Sequence, residues 1–282
     1  VPGPSTGHAA GRSALTVTSP GRLACRTAGP PDSADVLVLL HAFPLSSAMW
    51  QPQLEAAPPG WRIIAPDLPG FGDTPAIGGP LTMAAAADRV ALLLDDLGVR
   101  RVVLGGLSMG GYVAFALLRR HPGLLRALAL CDTRAAPDTE DVRRGRLHSA
   151  ARIRRAGPAE FLEGMLDRLL SPRSRQQPEL VARVRSLMAD ATTDGIVAAL
   201  HGMAARPDAT PLLRAIGVPA LVVVGADDTI TPVAETQLLA RAIPGARLEI
   251  IDDAGHLPNL ENPAPFNRVL HRFLDTLPQQ QP

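Results

Sequence analysis

One serine set between glycines, where strand-like sequence gives way to helix-like sequence, constrains this chain more than any other feature. Gly106-Leu107-Ser108-Met109-Gly110 follows Arg101-Val102-Val103-Leu104, which is β-branched and apolar. It runs into residues 112–120, which have helical composition and stop at His121-Pro122. A turn that sharp puts its central residue into a strained backbone conformation, and only small neighbours tolerate it. Gly106 and Gly110 are those neighbours. The arrangement presents the serine hydroxyl at the strand end, so Ser108 is the candidate nucleophile. Alone, the five residues suit an ordinary glycine-rich turn equally well, and the rest of the chain has to decide.

Short apolar runs recur at 36–40, 61–65, 125–132, 218–224 and 247–251, and the first is unbroken, as in a strand buried on both faces of a parallel sheet. Helical stretches separate them. Thr82 is a fair N-cap for a helix over 82–97, in which Val90, Leu93, Leu94 and Leu97 recur at helical spacing before Gly98. Further helices are expected over 233–243 and 263–277. Two alternating runs, 15–18 and 22–27, flank Ser19-Pro20-Gly21 and predict a hairpin at an antiparallel edge. The expected fold class is α/β, a mostly parallel central sheet flanked by helices.

The rhythm stops over 133–211, where helix-like segments succeed one another without a buried-strand run, and this stretch is expected to be an inserted helical cap. The core domain then comprises 14–132 and 212–278. Residues 1–13, rich in Gly, Pro, Ser and Ala, read as a disordered tail without the apolar region of a signal peptide; as no initiator methionine precedes them, removal of an export signal stays open. Within the cap, Phe161, Leu162, Met165, Leu166, Leu169 and Leu170 lie at helical spacing, as do Ile196, Val197, Leu200 and Met203. Either set could cover a pocket or pack on neighbouring helices. Arg143, Arg144, Arg146, Arg152, Arg154 and Arg155 read first as a solvated face and second as a means of recognising an anionic substrate.

Composition removes several function classes. A formal net charge of +1 over 282 residues gives no electrostatic reason to expect nucleic acid or an anionic membrane, and no apolar run is long enough to span a bilayer. Every basic residue apart from histidine is arginine, so a Schiff-base lysine, a phosphate-loop lysine and a Ser-Lys dyad are all excluded. Cys25 and Cys131 are too few for a disulfide framework and sit in apolar runs, as buried free thiols do. A reducing, cytoplasmic setting is compatible. No metal-ligand spacing such as His-Glu-x-x-His occurs, and neither a metal nor a cofactor is expected. The oligomeric state is left open.

A serine hydroxyl is a weak nucleophile at neutral pH, so acyl transfer needs a base, an acid to orient that base, and donors for the oxyanion. Candidates stand at the ends of later strands. Gly225-Ala226-Asp227-Asp228 follows one, and Asp252-Asp253-Ala254-Gly255-His256-Leu257-Pro258 follows the last. Between the two aspartates the residues themselves do not choose. His41-Ala42-Phe43-Pro44 closes another strand, and residues 66–75 form a dense turn expected near the site. His41 also suits a loop cap, and Trp50 reads as core packing.

Serine, aspartate and histidine thus occur in chain order at the edge where open parallel sheets bind ligands. From His41-Ala42-Phe43-Pro44 through Gly106-Leu107-Ser108-Met109-Gly110 to Gly255-His256, the chain resembles α/β-hydrolase-fold serine hydrolases. Pro66-Asp67-Leu68-Pro69-Gly70-Phe71-Gly72 and Ala254-Gly255-His256-Leu257-Pro258-Asn259-Leu260-Glu261 are similar to the branch holding 3-oxoadipate enol-lactonases, small carboxylesterases and cofactor-free haloperoxidase-like enzymes. The resemblance implies a triad of Ser108, Asp228 and His256 and an oxyanion hole from the main-chain N–H groups of Phe43 and Met109. Ala42 replaces the usual glycine. Serine at the elbow, in place of aspartate, argues against haloalkane dehalogenase and epoxide hydrolase chemistry.

The expected activity is hydrolysis of a small-molecule ester or lactone through an acyl-enzyme. Leu45, Met165, Leu166, Met203 and Leu257 are expected to line the substrate pocket. Three other activities fit the same residues: C–C hydrolysis of a dienoate, biosynthetic acyl transfer or cyclisation, and non-catalytic ligand reception.

Overall fold

In the computed structural model, which describes residues 14–16 and 22–280, the chain enters through β1 (Ala14–Thr16) and β2 (Cys25–Ala28), paired antiparallel with Leu15 opposite Arg26. The expected tail and the Ser19-Pro20-Gly21 turn lie outside the described residues. The hairpin's second strand starts at Cys25, later than the alternating run suggests. β3 (Asp35–Leu40), the short helix α1 (Gln51–Glu55) and β4 (Trp61–Pro66) follow. Next come α2 (Met83–Asp96), β5 (Val102–Leu107), α3 (Met109–Arg120) and β6 (Leu125–Cys131). Four helices then succeed one another: α4 (Glu140–Ala156), α5 (Ala159–Leu169), α6 (Pro178–Ala189) and α7 (Thr193–Ala204). The sheet resumes with β7 (Ala220–Gly225), α8 (Val233–Ala242) and β8 (Arg247–Ile251), and the chain closes on α9 (Pro258–Glu261) and α10 (Pro263–Leu274).

The strands form one sheet in the order β1-β2-β4-β3-β5-β6-β7-β8, parallel from β4 to β8. Successive side chains of a strand leave on opposite faces, so an unbroken apolar run must feed two cores. β3 does so: Val36, Val38 and Leu40 enter one buried cluster with α2 and α3, while Leu37 and Leu39 enter another with α1 and α10. Thr82 caps α2 by accepting from the Ala85 N–H at 3.1 Å, and Gly98 follows its end at φ +67°. The buried stripe Ala86, Val90, Leu93 and Leu94 seats that helix on the sheet.

The helices between β6 and β7 are tied to the core by main-chain bonds. The Leu81 N–H donates to Ala198 O at 3.0 Å, the Thr192 N–H to Gly70 O at 3.3 Å, and the His256 N–H to Leu169 O at 3.0 Å. These bonds hold α5 and α7 against the segments that follow β4 and β8. Among the described residues, no helix is long and apolar enough to cross a membrane.

Candidate active site

The elbow between β5 and α3 shows what its glycines are for. Ser108 sits at φ +54° and ψ −111°, a conformation L-residues rarely adopt. Its N–H donates to Cys131 O at 2.9 Å, and its carbonyl accepts from the Gly111 N–H and the Thr133 hydroxyl, each at 2.9 Å. These bonds fix the turn from both sides. A Cβ on Gly106 would stand 2.4 Å from Gly110 O, and one on Gly110 would stand 2.3 Å from Leu40 O. Either substitution needs the backbone to move. Met109 and Phe43 are both buried beside the elbow, and among the described residues neither main-chain N–H meets an acceptor.

At the end of β7, Asp228 is buried, whereas Asp227 is exposed. The His256 Nδ1–H donates to Asp228 Oδ2 at 2.8 Å, leaving Nε2 for a second partner. Asp228 Oδ1 accepts from the N–H groups of Ile230 at 2.8 Å and Thr231 at 3.1 Å, and the Thr231 hydroxyl donates to Oδ2. Burial alone would raise this carboxyl. The imidazole and the Thr231 donors outweigh burial and hold it well below the usual carboxylate range.

A third acid stands behind this pair. Asp132, at the end of β6, is fully buried at φ +44°; its Oδ1 accepts from the Gly225 N–H at 2.9 Å and its Oδ2 has no partner among the described residues. Burial first, and then the neighbouring Asp228 charge, push its carboxyl well above the ordinary range. Asp132, Asp228 and His256 offer ligand atoms within 4.8 Å of one another, the one such group among the described residues. The four donors already on Asp228 occupy the lone pairs a cation would need. Sequence reading missed Asp132, although it carries the signal that marked Asp228, an acid at the end of a buried strand.

His41 is buried beneath the site. Its Nδ1 donates to Ala42 O at 3.0 Å and its Nε2 accepts from the Leu68 N–H at 2.9 Å, an assignment consistent with a neutral ring, since burial lowers its pKa. Asp67 accepts from the N–H groups of Ser47 at 2.7 Å and Asp73 at 3.1 Å, which ties the 66–75 turn to the loop after β3. Phe71 from that turn stacks edge-on to Phe43, with ring centroids 6.1 Å apart. Trp50 is core, packed near Phe266.

Ser108 and His256 open onto one cavity of about 310 Å³, walled by Phe43, Tyr112, Phe161, Leu200 and Ile230 among others. That volume suits a small organic molecule. Of the residues expected to line a pocket, Met165 and Met203 are in this wall. Leu45, Leu166 and Leu257 are not: all three are buried in the apolar cluster that also holds Leu37 and Leu39. Leu166 fails for a simple reason, because consecutive helical residues point in different directions and its neighbour Met165 takes the cavity side. Of the arginines of α4, only Arg146 reaches the cavity wall, while Arg143, Arg144, Arg154 and Arg155 are exposed.

Comparison with known proteins agrees with this architecture. Residues 35–263 match the model of the alpha/beta hydrolase fold family. The chain is 30% identical over 253 residues to the pimeloyl-acyl-carrier-protein methyl ester esterase of Neisseria meningitidis serogroup C, spanning 87% of this chain and 95% of that one. A thermophilic esterase from Thermogutta terrifontis is 40% identical and superposes with a TM-score of 0.86 over 94% of this chain and 98% of its own. The enol-lactonase from Burkholderia xenovorans is 30% identical, with a TM-score of 0.83 over 90% of this chain and 96% of its own.

Proposed function

The chain belongs to the α/β-hydrolase fold family, and from that premise we propose that it hydrolyses a carboxylic ester or lactone of a small molecule, with Ser108 as nucleophile. The observation that carries this reading is the buried Asp228–His256 bond of 2.8 Å beside a strained serine that shares its cavity. Relatives named as esterases and an enol-lactonase support the same reaction class.

His256 Nε2 takes the proton from the Ser108 hydroxyl as its oxygen attacks the carbonyl carbon. Negative charge develops on the carbonyl oxygen, where the unpartnered N–H groups of Phe43 and Met109 receive it. Collapse of this intermediate breaks the ester bond, and the proton on Nε2 passes to the departing alkoxide. A water then repeats the sequence: it loses its proton to Nε2, attacks the acyl-enzyme and releases the acid, and Ser108 recovers its proton. Asp228 stays ionised throughout and stabilises the imidazolium through Nδ1. In this reading α4–α7 act as the cap that shields the acyl-enzyme.

The test is Ser108→Ala. It should abolish hydrolysis of a short p-nitrophenyl ester and remove labelling by a fluorophosphonate probe. Labelling retained in that variant would sink the assignment.

A further inference from the structure

We propose that the substrate of this site carries a carboxylate, which docks on the Arg146 guanidinium in the cavity wall; the proposal rests on the ester-hydrolase reading above. The wall contains two arginines, Arg146 and Arg168, and no aspartate or glutamate. Arg146 is held from behind. Its Nε lies 2.6 Å from Asp138 Oδ2, and a second guanidinium, Arg206, places Nη1 2.7 Å from Asp138 Oδ1. Two cations therefore share one carboxylate. The side chains of Asp138 and Arg206 are only 3% and 4% exposed, so water does little to screen the surplus charge. Burial works against ionisation of Asp138, yet the two arginines hold it below the usual carboxylate range, as expected of an anion outnumbered by cations.

The parts of this cluster are committed unequally. Arg206 donates Nη2 to Ala136 O at 2.7 Å, and its guanidinium lies 4.1 Å from the Tyr112 ring centroid. It anchors Asp138 and has little left to offer. Arg146, at 21% side-chain exposure, spends Nε and, at 3.4 Å, Nη2 on Asp138, and directs its remaining Nη1 at the Met203 thioether sulfur, 3.6 Å away, which is a weak acceptor. A carboxylate oxygen would replace that contact with a charge-assisted bond. Met203 itself lines the cavity, so the position is open to a ligand.

The network also reaches the nucleophile. Tyr112, on which Arg206 stacks, lies one turn along α3 from Ser108, a rise of roughly 6 Å, and shares the cavity wall with it. Phe161, Met165 and Leu200 supply an apolar lining suited to the carbon chain between ester and carboxylate. Of the other arginines of α4, Arg143 and Arg144 pair with Glu140 and Arg152 pairs with Glu160, while Arg154 and Arg155 are exposed. Arg168, exposed and in no ion pair among the described residues, adds positive charge to the same wall.

The test uses two pairs of esters differing by a carboxylate: p-nitrophenyl butyrate against mono-p-nitrophenyl glutarate, and phenyl acetate against 4-carboxyphenyl acetate. The first pair puts the charge on the acyl side and the second on the leaving group. In the wild type, kcat/KM should favour the carboxylate member of one pair by about tenfold, the scale of one charge-assisted hydrogen bond. Arg146→Gln should bring that ratio close to one, and Arg146→Lys should keep part of it. Both members of a pair are measured on one preparation, so partial unfolding lowers both rates and leaves the ratio intact. Neutral esters preferred in both pairs, or a ratio unchanged by Arg146→Gln, would overturn the anion site while the ester-hydrolase reading stood. Failure to turn over any of the four esters, with no fluorophosphonate labelling of Ser108, would remove both.

Discussion

Asp228 and Asp132 stand at the ends of neighbouring strands, both buried, with carboxylate oxygens within 4.8 Å of one another, yet their carboxyl groups are shifted in opposite directions. Burial does not separate them, because it raises both. Hydrogen-bond donors do. Asp228 receives Ile230, Thr231 twice and His256, and its carboxyl is lowered; Asp132 receives only Gly225 among the described residues, and its carboxyl is raised. A strand-end aspartate becomes the partner of a histidine only if the following loop turns its N–H groups back on it. Here residues 228–231 make that turn after β7, and nothing equivalent follows β6.

The two acids should differ most in what an amide in their place costs catalysis. Asp228→Asn should lower kcat/KM by about 10³–10⁴, since an amide no longer fixes the imidazole tautomer or stabilises its charged form. If Asp132 were the working acid, Asp132→Asn would show that loss instead. An intermediate effect is expected from Thr231→Val, which removes the hydroxyl donor to Asp228 Oδ2 and leaves the main-chain bonds. A loss of about tenfold in kcat with an unchanged melting temperature would fit one charge-assisted bond.

The smallest effect on activity belongs to Asp132→Asn, which should leave kcat/KM within a few fold. Its signature is in stability. A carboxyl whose folded pKa is raised holds its proton after the unfolded chain has lost its own, so the wild type loses stability as pH rises through the unfolded value. Asn removes that slope. The Tm difference between Asp132→Asn and the wild type should therefore shift in the variant's favour between pH 4 and pH 8. A constant difference across that range would mean Asp132 is ionised in the folded protein.

The elements that could be read from the sequence are those with a local cause. α2 was expected over 82–97 and spans Met83–Asp96, because Thr82 and Gly98 punctuate it; β8 fills its apolar run at 247–251. The unbroken apolar run at 36–40 announces two buried faces, and Gly106 and Gly110 announce the elbow. The wall of the cavity was not legible in the same way. Periodicity shows that Leu45, Leu166 and Leu257 are buried, but not which of the two cores receives them, since both are equally apolar. Arg146 is one of six arginines in a run, and only the tertiary placement of Asp138 and Arg206 draws it inward. Asp132 and Asp228 look alike in sequence; the donors that distinguish them come partly from His256, far along the chain.

If acyl transfer passes through Ser108, the acyl-enzyme can be trapped on that residue. The wild-type protein is mixed with a p-nitrophenyl ester, quenched in acid within the first turnover, digested and mapped by mass spectrometry. One added acyl mass is expected, confined to the peptide containing Ser108 and absent from Ser108→Ala. Rapid release of p-nitrophenol with the acyl mass on another residue, or undiminished turnover by Ser108→Ala, would contradict it.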